Sequence, residues 1–595
     1  MERKDDKKGG EMSRLILIGL MVTFVYALQP VKSEPAKLIR GDEEINAPHY
    51  PSGPGLSPGD SVGWTKYDYQ RNGQTAWQVW YDGASDPGIH VDFMRAHEAQ
   101  PWPDRCCAYN FWQGGSWFGD ADVTPGYSGY VALAVKPSNN AGVCAYHHQA
   151  SGDLYRCWVS VDEGQGYYNF TYHKVLPQEQ TEQIIWPRLA IDDQGNFHIV
   201  NHSYDYERIY YTRSTDDGQT WSDKELLYEE SQANQYRNLA GGVFADRFNS
   251  PGKVIRYWPE WTGEGTGGHA QHSQDVCYQI STDYGVTWGS RVNLTQYQPS
   301  DTMRAFCHIK AIFDKNGDPH IVFPVCYFRN GTAYYRSWII HWSPSTGFTV
   351  VTGPHSMSNP TGGWRLPCDF AQIAVDKDNG NLYLVYVLNR DSDMSAGGYP
   401  NGELMALAST DGGATWTSNA AGDTGVNLTK TPTPGGAPGE CCDDDYPSMH
   451  PYTITFNGEK CVVISYVEDK DAGGLPQGEG TETDNPYRVL IVPCDSILIG
   501  VEEQNAGVPK STGLIGIYPN PTRGQARIEF AMKKEALVKI NVLDITGRVV
   551  DRLVNRVIGA GYHTAYFKSK VPAGIYFVHM ETEGYSDTRN LILVR

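Results

Sequence analysis

Ser214-Thr215-Asp216-Asp217-Gly218-Gln219-Thr220-Trp221 recurs as Ser281-Thr282-Asp283-Tyr284-Gly285-Val286-Thr287-Trp288 and again as Ser409-Thr410-Asp411-Gly412-Gly413-Ala414-Thr415-Trp416. Two worn copies keep the register, one at Ser160, Asp162, Gly164 and Tyr167, the other at Ser343, Ser345, Gly347 and Thr349. The five serines stand 54, 67, 62 and 66 residues apart, a period that accommodates one four-stranded sheet with its loops. An alternating strand precedes each copy, as in Arg208-Ile209-Tyr210-Tyr211-Thr212-Arg213. Further upstream lie two more strands joined by an Asp/Gly/Asn turn, such as Leu189-Ala190-Ile191, Asp192 to Gly195 and Phe197-His198-Ile199-Val200. Glycine and asparagine supply the positive φ that such turns need. The Asp-x-Asn-Gly-Asp at 314–318 has no Glu at calcium-loop spacing and reads as one of these turns.

Repeated antiparallel sheets of this size, set around an axis, make a β-propeller. Five segments carry a copy of the octapeptide, while Trp64 to Phe118 and Tyr446 to Pro493 read as strands without one. The count is seven blades, or six if the two ends share a sheet. The octapeptide resembles the Asp box of the sialidase-type (BNR) propeller superfamily, and the resemblance covers roughly residues 60–500. It implies that the boxes sit on the periphery, away from the active site. The chemistry agrees: the carboxylate accepts turn N–H groups, the glycine permits the reversal and the tryptophan packs at the rim.

The ends of the chain read differently. Leu15 to Leu28 is apolar over 14 residues and follows Lys7, Lys8 and Arg14, the layout of a secretory signal peptide rather than of a span of about 20 residues. The C-terminal segment joins Tyr518-Pro519-Asn520-Pro521, an Asp-x-x-Gly-Arg hairpin at 544–548 and Pro572-Ala573-Gly574-Ile575-Tyr576. As a set these resemble the type A sorting domain of the type IX (Por) secretion system. That resemblance implies a small β-sandwich that directs passage across a bacterial outer membrane, with the secretion machinery as partner. The expected organisation is a signal peptide and N-terminal segment over 1–36, the propeller over 37–500, a linker over 501–512 and the sorting domain over 513–595. The fold class is all-β throughout, and the protein is secreted or carried on the outer cell surface.

Composition narrows the partners. Charged residues are 20% and aromatic residues 12%, with 63 Gly and 35 Pro, unlike a disordered chain or a coiled coil. Residues 33–510 carry 31 basic and 58 acidic residues, which argues against nucleic acid or anionic lipid as partner. The 12 cysteines of an exported chain favour disulfides, with Cys144/Cys157 and Cys307/Cys326 as candidate internal bridges.

Three arginines begin expected inner strands. Arg237, Arg304 and Arg365 lie 9, 10 and 11 residues ahead of Asp246, Asp314 and Asp376, so they should gather at one end of the axis and could bind a carboxylate there. Sialidases use an arginine triad in this way, and Arg365-Leu366-Pro367 is similar to their Arg-Ile-Pro signature. The resemblance then implies Asp393 (or Asp391) as acid/base and Tyr446 as nucleophile, with Glu440 raising its reactivity. The acidic run Glu440-Cys441-Cys442-Asp443-Asp444-Asp445 reads as a solvated, disulfide-tied loop, with a Ca²⁺ site as the alternative; no other metal or cofactor is expected. Trp64, Trp77, Trp80, Trp112 and Trp117 are candidates for stacking on sugars or for blade packing. Zinc-protease, nucleophile-elbow and phosphate-loop motifs are missing. The functional expectation is a sialidase-like glycosidase acting on an extracellular glycan or glycoprotein; the alternative is a non-catalytic glycan- or protein-binding adhesion propeller.

Overall fold

The computed structural model describes residues 57–73, 76–150, 153–175, 182–230, 239, 241–417, 424–502, 512–518, 522, 524–559 and 561–593. The expected signal peptide lies outside them. Seven strands line the centre of residues 57–502: β1 (Val79–Tyr81), β2 (Ser128–Val135), β3 (Ile184–Ile191), β4 (Gly242–Ala245), β5 (Lys310–Phe313), β6 (Cys368–Val375) and β7 (Asp443–Met449). Each is the innermost strand of an antiparallel meander. Each touches the next, and β7 returns to β1, which closes a ring. The sheet of β7 is completed by the first described strand, Asp60–Thr65, paired from Asp60↔Val489 to Thr65↔Asn485. The Met303–Ala305 strand pairs on both sides and joins the β4 and β5 meanders into one nine-stranded sheet.

Both faces of the central strands are covered, and β2, β3, β6 and β7 are buried at every position; β2, β3 and β6 are mostly apolar, as such burial favours, whereas β7 begins with three buried aspartates. An outer strand such as Phe170–Lys174 shows its side chains to solvent. The octapeptides follow the third strands. Ser214 Oγ accepts the Gly218 N–H at 2.9 Å, and the Asp216 carboxylate accepts the Thr220 N–H at 2.8 Å and the Thr220 hydroxyl at 2.6 Å. The copies at 281–287 and 409–415 repeat these bonds. The bonds hold Asp216, Asp283 and Asp411 below the usual carboxylate range. In an antiparallel meander a third-to-fourth turn lies at the end opposite the start of the central strand, so the boxes serve folding at the far end.

The expected disulfides are not formed: all 12 cysteines are buried free thiols. Register explains two of the cases. Cys144 faces Ser160 while Cys157 faces His147, which puts the thiols three positions apart on paired strands. Cys326 faces Arg304 rather than Cys307. A disulfide tolerates no such offset.

Residues 513–593 form a three-stranded sheet (Gly513–Tyr518, Gln525–Met532, Gly561–Lys568) and a four-stranded sheet (Ala536–Leu543, Val549–Ile558, Gly574–Thr582, Tyr585–Leu593). Ile528, Phe530, Val538, Ile540, Val578 and Leu591 fill one core between them, which makes the expected β-sandwich. A helix, Cys494–Glu502, runs into the first two residues of the expected linker. Among the described residues no helix is long and apolar enough to cross a membrane.

Candidate functional site

Four central strands share a device at their starting end. The register slips between Gly129 and Ala132, Ile185 and Arg188, Asp369 and Gln372, and Asp445 and Ser448. Each slip is a bulge that places an aromatic residue at positive φ: Tyr130 at 57°, Trp186 at 51°, Phe370 at 53° and Tyr446 at 51°. Non-glycine residues in this region carry strain, and such strain concentrates at functional sites. In three of the strands the aromatic residue stands six positions ahead of the residue that follows the strand: Tyr130 before Lys136, Trp186 before Asp192 and Phe370 before Asp376.

The four rings belong to an aromatic collar. On one side Tyr446 packs against Phe370 at 5.0 Å and Tyr69 at 5.6 Å, and Tyr69 against Trp364 at 6.1 Å. Phe370 stacks on His308 at 4.4 Å. On the other side Tyr130 meets Trp186 at 6.3 Å, Trp186 stacks on His202 at 5.3 Å, and the Tyr130 and Tyr67 hydroxyls lie 3.0 Å apart. Burial pushes His202 down to about 3, so its imidazole is neutral.

Named groups hold the bulges. The Asp445 carboxylate accepts the Tyr446 N–H at 2.8 Å, and Asp369 accepts the Phe370 N–H at 2.7 Å and bonds His308 Nδ1 at 2.7 Å. Arg71 donates to the carbonyls of Tyr446 and Pro447, both at 2.7 Å.

Around Tyr446 lies a buried acidic group. Arg365 Nη1 donates to both Asp443 oxygens at 3.0 and 2.9 Å and to Asp445 at 2.6 Å. Among the described residues its Nε has no partner, nor has Asp68 Oδ1. A Cβ added to Gly363 would lie 3.5 Å from both Arg365 Nε and the Tyr446 hydroxyl, so this glycine borders both groups. Burial raises Asp68 to about 8. Burial, with Asp443, raises Asp445 to about 7 against the pull of Arg365. Burial and the charge of Asp445 push the Tyr446 phenol up. Two carboxyls beside this tyrosine therefore exchange protons near neutral pH, the range that general acid–base catalysis requires.

The expected site residues are only partly assembled. Tyr446, Arg365 and the Asp445 carboxyl meet as described. Asp393 is buried nearby, accepting the Asn401 amide and the Thr433 N–H, both at 3.0 Å; burial raises it, and Asp443 acts on it. Glu440 is exposed and turned back on the Ala437 N–H at 3.2 Å. Arg304 is buried elsewhere, held by the carbonyls of Gln298 and Asp301 and by Glu264 at 3.3 Å. It shares no partner with Arg365, and Arg237 lies outside the described residues. The run Asp443–Asp445 is a buried strand rather than a solvated, disulfide-tied loop. Its carboxylates are taken by Arg365 and by the Thr431 hydroxyl at 2.7 Å. Among the described residues no three of His, Cys, Asp or Glu are arranged to hold a metal ion.

Comparison with known proteins adds the route. Residues 516–594 match the secretion system C-terminal sorting domain. The chain is thus a type IX cargo, delivered to the cell surface or the extracellular space. No curated protein matches it. Among solved structures, a family-25 polysaccharide lyase (ulvan lyase) is similar at 11% identity and a TM-score of 0.44, over 73% of this chain and 96% of that one. An α-L-arabinofuranosidase of Fusarium graminearum is similar at 13% identity and 0.35, over 62% and 93%. A thermostable family-43 glycoside hydrolase follows at 12% and 0.28, over 49% and 98%.

Proposed function

We propose that this protein is an extracellular glycan-cleaving enzyme that works at the starting end of the central strands. The observation that carries the reading is geometric: a strained Tyr446 packed against Phe370 and Tyr69, its N–H held by the buried Asp445 carboxylate that Arg365 also binds; burial raises both Asp445 and the nearby Asp68. A carboxyl protonated near neutral pH donates to a glycosidic oxygen as the bond breaks, and its ionised neighbour takes a proton from the attacking group. Tyr446 sits between the two roles. Arg71 and Arg365 act as positioning residues that hold the Tyr446 bulge and Asp445.

A narrower sialidase activity draws less support. Arg365 is committed to Asp443 and Asp445, and Arg304 to Glu264. The same commitment favours the second reading, a non-catalytic glycan-binding propeller.

The test uses the full-length secreted protein on neutral and acidic polysaccharides and on the 4-methylumbelliferyl conjugate of sialic acid. New reducing ends report cleavage, and ultraviolet absorbance of an unsaturated product separates elimination from hydrolysis. Tyr446→Phe and Asp445→Asn should each lower kcat by about 10²–10⁴-fold. Cleavage that survives both substitutions overturns the site, and glycan binding without cleavage supports the second reading.

A further inference from the structure

Of the five tryptophans singled out in the sequence, Trp77 and Trp80 are core residues, and Trp64 stacks on His97 at 4.0 Å. Trp112 and Trp117 do something else. They face each other across a tight hairpin, Trp112↔Trp117, on the outer edge of the β1 meander. Both line a cavity of about 230 Å³ with Ile89, Phe456, Leu490 and Asp60. The cavity straddles the seam where the ring closes. Asp60 begins the closing strand, Leu490 lies on its partner strand, and the tryptophans belong to the neighbouring meander. It is far from Tyr446 in the topology, because the Trp112–Trp117 turn joins a third to a fourth strand and so lies at the end that carries the boxes.

We infer that this cleft is a second binding site, for one neutral sugar ring of an extracellular glycan. Its volume lies below the roughly 300–1,000 Å³ of sites that enclose drug-sized ligands, and suits a single ring. Trp112 and Phe456, 5.6 Å apart and tilted by 52°, give apolar walls at two angles. The one charged group is Asp60, whose Oδ2 accepts the Trp117 indole N–H at 3.0 Å. That bond fixes the indole and leaves the other carboxylate oxygen for sugar hydroxyls, which donate well to an anion. A carboxylate at the mouth repels acidic sugars, so the ligand class is neutral hexose. Because the walls come from both sides of the seam, an occupant ties the closing strand to its neighbour and stabilises the ring through binding to the folded state alone.

The test is a titration of the full-length protein with cellobiose, maltose and lactose, read by tryptophan fluorescence and by the melting temperature. At least one disaccharide should shift both signals at millimolar concentration. Trp117→Ala should weaken that binding at least tenfold, and Tyr446→Phe should leave it unchanged. Glucuronic acid should bind at least tenfold more weakly than the neutral sugar. No response to any of the three disaccharides, or a response that Trp117→Ala leaves intact, overturns the proposal. A response lost in Tyr446→Phe but kept in Trp117→Ala assigns the binding to the collar instead.

Discussion

Replacing Arg365 by methionine tests how the bulge at Tyr446 is held. Arg365 is 1% exposed, and among the described residues it forms ion pairs with Asp443 and Asp445, themselves 1% and 2% exposed. Removing one side of such a buried pair costs about 3–5 kcal/mol, since it strands uncompensated charge. Unfolding entropy of roughly 2.1 cal/mol/K per residue over residues 57–502 gives close to 0.9 kcal/mol/K, so the expected loss is about 3–5 °C in melting temperature. The loss should depend on pH. Without the guanidinium, which pulls Asp445 down, its buried carboxyl titrates above about 7 in the folded state, while in the unfolded chain it ionises near 4. The unfolded state then binds fewer protons across that interval, and stability falls as pH rises. The deficit of Arg365→Met should widen from pH 6 to pH 9 in scanning fluorimetry. It should shrink when Asp445→Asn is added. A loss under about 1 °C, or one that is the same at both pH values, would refute the argument.

Asp68→Asn should melt higher than the parent above pH 8, because a carboxyl raised to about 8 in the folded state is forced to ionise there while buried; equal melting curves at pH 9 would count against it. His202 titrates near 3 when folded and near 6.5 when unfolded. Its contribution is therefore complete above pH 6.5 and lost as pH falls toward 3, and His202→Phe should flatten that part of the acid melting profile. Gly412→Ala and Gly413→Ala both place a Cβ at positive φ, 71° and 88°. The first meets nothing and should cost about 1 kcal/mol. The second puts the Cβ 2.1 Å from His341 Cε1 and should cost at least twice as much in urea unfolding. Deleting residues 512–595 should leave the protein in the periplasm on cell fractionation, with none at the surface or in the medium.

The octapeptide made the architecture legible because one hydrogen-bonding pattern recurs wherever Ser, Asp, Gly and Thr keep their spacing. The sorting domain was legible for the same reason, through a fixed set of turns. The site was legible only in part. Arg365 and Tyr446 were picked out by position, but the spacing of an arginine from a turn says nothing of which carboxylates lie across the ring. Asp443 and Asp445 reach Arg365 over 78 and 80 residues of chain. Asp68 and Arg71 arrive from the far end of the sequence. The bulges are not legible because an aromatic residue in a strand normally signals packing, and the positive φ of these four depends on register slips between paired strands. Neighbouring strands alone do not make a bridge: Cys144 and Cys157 lie on paired strands but out of register, and side chains on paired strands meet only in register.

The clasp formed by Asp60–Thr65 joins residues 420 to 429 positions apart in the chain. A nascent protein cannot make that pairing in full until Val489 has been synthesised. Up to that moment every sheet is attached only to its neighbours in a line, and the last sheet presents a bare edge. Circularly permuting the chain so that Asp60–Thr65 follows Pro493 through a short linker would turn this most distant pairing into the most local one. The ring would still close only when β7 meets β1, but the edge of the last sheet would be covered as soon as its own strands had formed.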